Sequence, residues 1–202
     1  RDERLNVLSP DSEPLVLNRE IGEFLSHPAP LIIAKSTLPA RVHRRVPCDY
    51  IGIKKYDAQG RVNGAVRFLG LFTAEAYDET ARSIPFVRRR VQKIMAASGA
   101  APGGHTEKAL ANLIETWPRD ELFQITPDDL YTQAMGILRL GERLRTRLFV
   151  RCDPFARFVS CRIYVPREHF STDQLQRMQA VLVEAFDGNS SEFDVQFSDS
   201  AL

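Results

Sequence analysis

The 202-residue chain is 44% hydrophobic and 26% charged, the balance of an ordinary soluble globular protein with enough apolar mass for a core. Its 27 basic and 26 acidic residues leave a net charge of +1, which argues against a dedicated nucleic-acid coat but not against a local basic patch. No run of about 18 apolar residues suits a membrane span. The charged, polar start shows no signal peptide and reads as the opening of a piece excised from a longer protein. Cys48, Cys152 and Cys161 have no CxxC spacing, which argues against a zinc site or a disulfide framework and fits a reducing cytoplasm. They are expected as small buried hydrophobes.

Taken in chain order, Pro30–Thr37 is a compact apolar strand, followed by a basic connector holding Arg41, His43, Arg44 and Arg45. The stretch from Tyr50 to Thr73 reads as a long hairpin turning at Asp57–Gly60, with Gly60 free to take positive φ. Val62, Val66, Phe68 and Phe72 fall on one face of its second strand, and Ala65, Leu69 and Leu71 on the other. That strand is expected to be covered on both sides. Pro85 then opens a helix whose stripe is Ile84, Val87, Val91, Ile94 and Met95, with Arg88–Arg90 on its solvent side. A second helix starts at a Thr106 cap and turns Leu110, Leu113, Ile114 and Trp117 inward. Three strands followed by helices make residues 1–120 a first α+β module.

Glu121–Ile125 is expected as a short strand. Thr126 caps the next helix, with Pro127 at its first position and Gly141 at its end. Residues 145–168 then give two strands and a tight turn. Arg147, Phe149, Arg151, Phe158, Arg162 and Tyr164 line one face; Leu148, Val150, Cys152, Val159, Cys161 and Ile163 line the other, which is expected to bury under helices. Ser171 and Gln174 form a capping box for a helix with Leu175, Met178, Val181, Leu182, Ala185 and Phe186 inward and Gly188 as its stop. Phe193, Val195 and Phe197 share one side of a final strand. The order strand, helix, strand, strand, helix, strand in residues 121–202 is that of a ferredoxin-like module with one bare sheet face. The overall class is α+β, with two small modules.

On that face Phe149, Phe158 and Tyr164 could stack bases while Arg147, Arg151 and Arg162 hold phosphates. The RNP-type sequence signature is missing, so packing against another sheet or protomer is the favoured reading of this interface. Four scattered histidines and no Gly-rich phosphate loop, HExxH or nucleophile–base set leave no catalytic or metal residues to name.

The stretches "RVHRRVPCDYIGIKKYDAQGRVNGAVRFLGLFT", "IPFVRRRV", "ETWPRDELFQI" and "RLFVRCDPFARFVSCRIYVPREHFST" resemble the large bacterial class of NAD-specific glutamate dehydrogenase. The resemblance runs from about Pro30 to Phe186. It implies a place in the N-terminal regulatory region of that enzyme, with an ACT-like module at 121–202 and an ACT-like or PAS-like one at 1–120. It implies NAD as cofactor of the parent enzyme, and no cofactor in this segment. It also implies other domains and protomers as partners; the cysteine usage fits a cytoplasmic location, the lack of a long apolar run argues against a membrane partner, and the near-zero charge disfavours a nucleic-acid one. An amino-acid effector would sit at the first strand–helix loop, Ile125–Asp128, where Thr126 and Asp128 lie at a helix start whose amides can receive a carboxylate, although Thr126 and Pro127 already read as local capping residues. A stand-alone small-molecule sensor of ACT-like type, and RNA binding through the open face, are the alternative readings.

Overall fold

The computed structural model describes residues 26, 28–40, 46–142, 145–153 and 157–197. Arg41, His43, Arg44 and Arg45 of the basic connector lie outside them. The chain divides into two compact units at Leu71/Phe72, rather than at the boundary near residue 120 that the sequence suggested.

The first unit carries an antiparallel sheet of three strands in the order β1 (Leu31–Pro39), β2 (Pro47–Tyr56), β3 (Val62–Gly70). The turn between β2 and β3 is built by Asp57, whose carboxylate accepts the Gln59 and Arg61 N–H groups at 3.0 and 2.8 Å and pairs with the Arg61 side chain. Gly60 follows at φ 76°, a conformation that costs glycine little. The register aligns Leu31, Ile53 and Val66 in one cross-strand row and Ile33, Ile51 and Phe68 in the next. Among the described residues this apolar face is only partly covered: Ile53 and Phe68 are 41% and 54% exposed while the other four residues of the rows are half-buried, which corrects the expectation that β3 is shielded on both sides. On the same face Asp49 is opposite Lys35, and the two pair at 2.6 Å, so the buried carboxylate keeps a counter-charge.

The second unit opens with a single turn, α1 (Glu75–Asp78), and continues with α2 (Val87–Ala97), α3 (His105–Glu115), α4 (Arg119–Gln124) and α5 (Pro127–Leu138). Helices α2, α3 and α5 pack pairwise. Their stripes supply the core: Val87, Val91 and Ile94, then Leu110 and Ile114, then Leu130, Ala134 and Ile137. Two starts differ from expectation. Helix α2 begins after Pro85 and Phe86 rather than on them, with Phe86 at φ 73°. Helix α3 begins at His105 behind Gly104, so Thr106 is inside its first turn rather than its cap.

The larger correction is Glu121–Ile125: Glu121–Gln124 lie in helix α4 rather than in a strand, and only Ile125, its C-cap, is extended. Five apolar-rich residues fit either element by pattern. Pro118, at the N-cap of α4 just before Arg119, fixes the entry of the chain into the helix, and Asp120 and Glu121 in the first turn suit its positive end. Adjacent Leu122 and Phe123 are then both buried, and Phe123 stacks on Phe72 with ring centroids 4.4 Å apart.

Strands β4 (Arg147–Cys152) and β5 (Val159–Tyr164) form an antiparallel hairpin. Helix α6 (Thr172–Ala185) follows, capped by the Ser171 hydroxyl accepting the Gln174 N–H and closed where the Gly188 N–H reaches the Val183 carbonyl. No residue of α6 is buried. Residues 193–197 do not join a sheet, and Phe193 and Phe197 stand 59% and 65% exposed. The α+β class stands, with small antiparallel sheets in both units. Among the described residues, the C-terminal module shows the hairpin and second helix of the ferredoxin-like order.

Candidate functional site

The basic-aromatic face of the hairpin is the most chemically loaded surface of the second unit, and it is turned inward. Arg147 opposes Tyr164, Phe149 opposes Arg162, and Arg151 opposes Ser160, so these side chains share one side as the alternation requires. Arg151 is 7% exposed and forms a two-point ion pair with Glu121 of α4, at 2.8 Å through Nε and 2.6 Å through its terminal nitrogen. Burial opposes its charge, but the Glu121 hydrogen bonds and negative charge outweigh this and hold the guanidinium above its ordinary range. Its guanidinium carbon is also 5.5 Å from the centre of the Phe158 ring.

Arg162 is set over the face of Trp117, 3.7 Å from the ring centre, a cation–π contact strengthened by exclusion of water. Burial lowers the Arg162 pKa, and the neighbouring Tyr164 resists that shift. Burial likewise raises the Tyr164 phenol. Phe149 meets Tyr164 edge to face, with centroids 5.9 Å apart, and presses its ring onto α5. A Cβ at Gly136 would approach Phe149 Cε1 to 2.8 Å, so the glycine is a socket for that ring. Gln133 of α5 adds a hydrogen bond from its side-chain amide to the Val150 carbonyl at 3.3 Å. Arg147 remains exposed.

This geometry corrects the expected open interface. Five of its six residues, Phe149, Arg151, Phe158, Arg162 and Tyr164, are buried or half-buried, and the face is seated on the unit's own helices. A base-stacking platform needs those rings accessible, so the RNA reading loses its surface. The face expected to be covered is the more open one: Leu148 and Val150 are 40% and 37% exposed, and Cys152 is exposed as well. Charge decides this inversion. Arg151 finds Glu121 and Arg162 finds Trp117, while the apolar side has only partial cover.

The residues that complete the seam, Glu121, Trp117 and Gly136, carry no motif of their own. Gly136 was the one visible signal, since a glycine inside a helical stripe marks a close approach. Arg90 was also misread as solvent-facing. It is half-buried and donates to the Leu122 carbonyl at 2.8 Å and to that of Ile125, closing the carbonyls left over at the end of α4. Burial and the nearby Arg151 bring its pKa down to about 10.

At the expected effector loop, the Thr126 hydroxyl accepts the Asp129 N–H at 3.1 Å and donates to the Asp129 carboxylate at 2.7 Å. Asp128 is exposed beside it. The start of α5 is thus capped by its own residues and ringed by acid. Among the described residues no group of three or more His, Cys, Asp or Glu could hold a metal ion, and no helix is long and apolar enough to cross a membrane.

Residues 84–143, the helical bundle with α4 and α5, match the family model for glutamate dehydrogenase, helical motif 1; residues 147–202 match glutamate dehydrogenase, ACT2 domain. The ACT2 match fits a ferredoxin-like C-terminal module, and the seam joins these two matched segments. The chain is 44% identical over 186 residues to the NAD-specific glutamate dehydrogenase of Halomonas elongata, covering 92% of the chain and 12% of that protein. It is 42% identical over 179 residues to that of Pseudomonas aeruginosa, covering 89% and 11%. To that of Mycobacterium tuberculosis it is 34% identical over 153 residues, covering 74% and 9%. The chain belongs to the NAD-specific glutamate dehydrogenase family, and it spans about a tenth of the length of the curated relatives it matches.

Proposed function

We propose that the chain is a non-catalytic regulatory and assembly segment of an NAD-specific glutamate dehydrogenase. The parent enzyme converts L-glutamate, NAD and water to 2-oxoglutarate, ammonium and NADH in the cytoplasm. NAD is bound elsewhere in that parent, since this sequence carries no dinucleotide fingerprint. The partners of the segment are other domains of the enzyme and other protomers.

One observation carries the assembly role. The apolar side of the hairpin exposes Leu148 (40%) and Val150 (37%), and α6 with its C-cap exposes Val181 (63%) and Phe186 (41%), apolar side chains of the kind that mark an interaction surface. The docking side is therefore the apolar one, opposite to the basic-aromatic face. The test compares the 202-residue chain with the full-length enzyme. Cys152 should react with N-ethylmaleimide in the chain and be protected in the enzyme. Val150→Asp with Val181→Asp should leave the chain folded and shift the sedimentation profile of the enzyme. Equal Cys152 reactivity in both, together with an unchanged profile, overturns the proposal.

A further inference from the structure

The outer side of α3 carries a cleft that neither the seam nor the apolar surface uses. It measures about 300 Å³ and is lined by Arg82 from the turn after α1 and by Glu107, Lys108, Ala111, Asn112 and Glu115 of α3. Positions 108, 111, 112 and 115 fall on one helical face, and the small Ala111 leaves the floor open. The volume is at the lower end of small-molecule sites.

Of the two acids in this lining, Glu115 is engaged through both oxygens and Glu107 through one. Glu115 accepts the Ala81 N–H through both oxygens, at 3.1 and 3.0 Å, and pairs with Arg119 at 3.0 Å. Glu107 accepts the Gly103 N–H at 2.6 Å. The side chains of Arg82, Lys108 and Asn112 make no hydrogen bond or ion pair with the described residues. Hydrogen-bonding capacity left in the cleft is therefore weighted toward donors, two of them cationic and on different elements.

We propose that this cleft binds a small organic anion by its carboxylate. The Arg82 guanidinium and the Lys108 ammonium take the two oxygens, and the Asn112 amide donates to one of them. A guanidinium matches a planar carboxylate in two-point geometry. The Glu107 and Glu115 carboxylates on the rim oppose a more highly charged guest, which favours a single carboxylate over inorganic phosphate.

The experiment titrates the isotopically labelled 202-residue chain with sodium propionate and, separately, with inorganic phosphate at constant ionic strength. The Asn112 side-chain amide and the backbone amides of residues 80–83 are followed by NMR. Propionate should give saturable shifts. Arg82→Gln and Lys108→Gln, both at exposed positions, should each weaken it about tenfold, the scale of one charge-assisted hydrogen bond, whereas Lys93→Gln on α2 should not. Shifts that grow linearly without saturation, or saturation unchanged in Arg82→Gln, overturn the site. Tighter binding of phosphate than of propionate overturns its assignment to a carboxylate.

Discussion

The hairpin β4–β5 and helix α6 are neighbours in the chain, yet opposite kinds of side chain settle them. The hairpin seats its basic-aromatic side, and each buried charge there meets a partner, Glu121 for Arg151 and the Trp117 ring for Arg162. Helix α6 carries the more obvious apolar stripe. Leu175, Met178 and Leu182 stop at half-burial, and Val181 stays 63% exposed. Hydropathy ranks the two faces in the wrong order because burial depends on what is available to receive a side chain. An arginine with a long apolar stem and a paired head can be buried deeply, whereas a leucine stripe with no surface against it gains little.

The sharpest way to break this comparison is Glu121→Gln, which keeps the shape and strands Arg151 without its counter-charge. Urea unfolding of the second unit should report a loss of about 3 kcal/mol. Replacing the pair together, as Glu121→Leu with Arg151→Met, should recover most of it. A Glu121→Gln protein as stable as the parent means that charge does not hold the hairpin. Next in size is Gly136→Ala. Helix propensity alone predicts a gain of about 1 kcal/mol, but the 2.8 Å approach to Phe149 predicts a loss of about 1–2 kcal/mol from overpacking. The sign of the change in urea midpoint separates the two, and Phe149→Leu in the same background should restore the gain.

On α6 the expected effects are smaller. Leu182→Ala should cost under about 1 kcal/mol, against about 2–5 for a leucine or isoleucine in a closed core. Its amides should exchange with solvent faster than those of β5. A loss of core size at Leu182 would show that α6 is as well seated as the hairpin.

The smallest effect is a pH slope. Burial raises Tyr164 above its ordinary value near 10, so the folded state favours the neutral phenol. Its contribution is complete below pH 10 and is lost as pH rises through the raised value. Tyr164→Phe removes that part of the alkaline decline. Arg90, brought down to about 10, changes stability in the opposite direction in both proteins and cancels in the difference. Identical slopes for the two proteins from pH 10 to 11.5 would place Tyr164 outside the seam.

Local chemistry made much of this fold legible. The Asp57–Gly60 turn, the Thr126 and Ser171 caps and the buried stripes of α2, α3 and α5 all follow from residues close together in sequence. What misled was information that is not local. Glu121–Ile125 is too short for its pattern to choose between strand and helix, and Pro118 tipped it to helix. Residues 193–197 alternate like a strand, but a strand needs a ladder partner, which no local pattern supplies. At the hairpin the six candidate residues were rightly grouped on one face. Its direction depended on Glu121 and Trp117, which lie some thirty or more positions earlier in the chain.

The chain contains one tryptophan, and Arg162 sits over it. Indole emission responds in colour and yield to a cation held against the ring and to the entry of water. Lifting the hairpin would remove the first and admit the second, so a single natural chromophore records whether the two family segments stay joined. The 202-residue chain can therefore be watched by its own light, without an added dye, as denaturant, pH or a bound anion is varied.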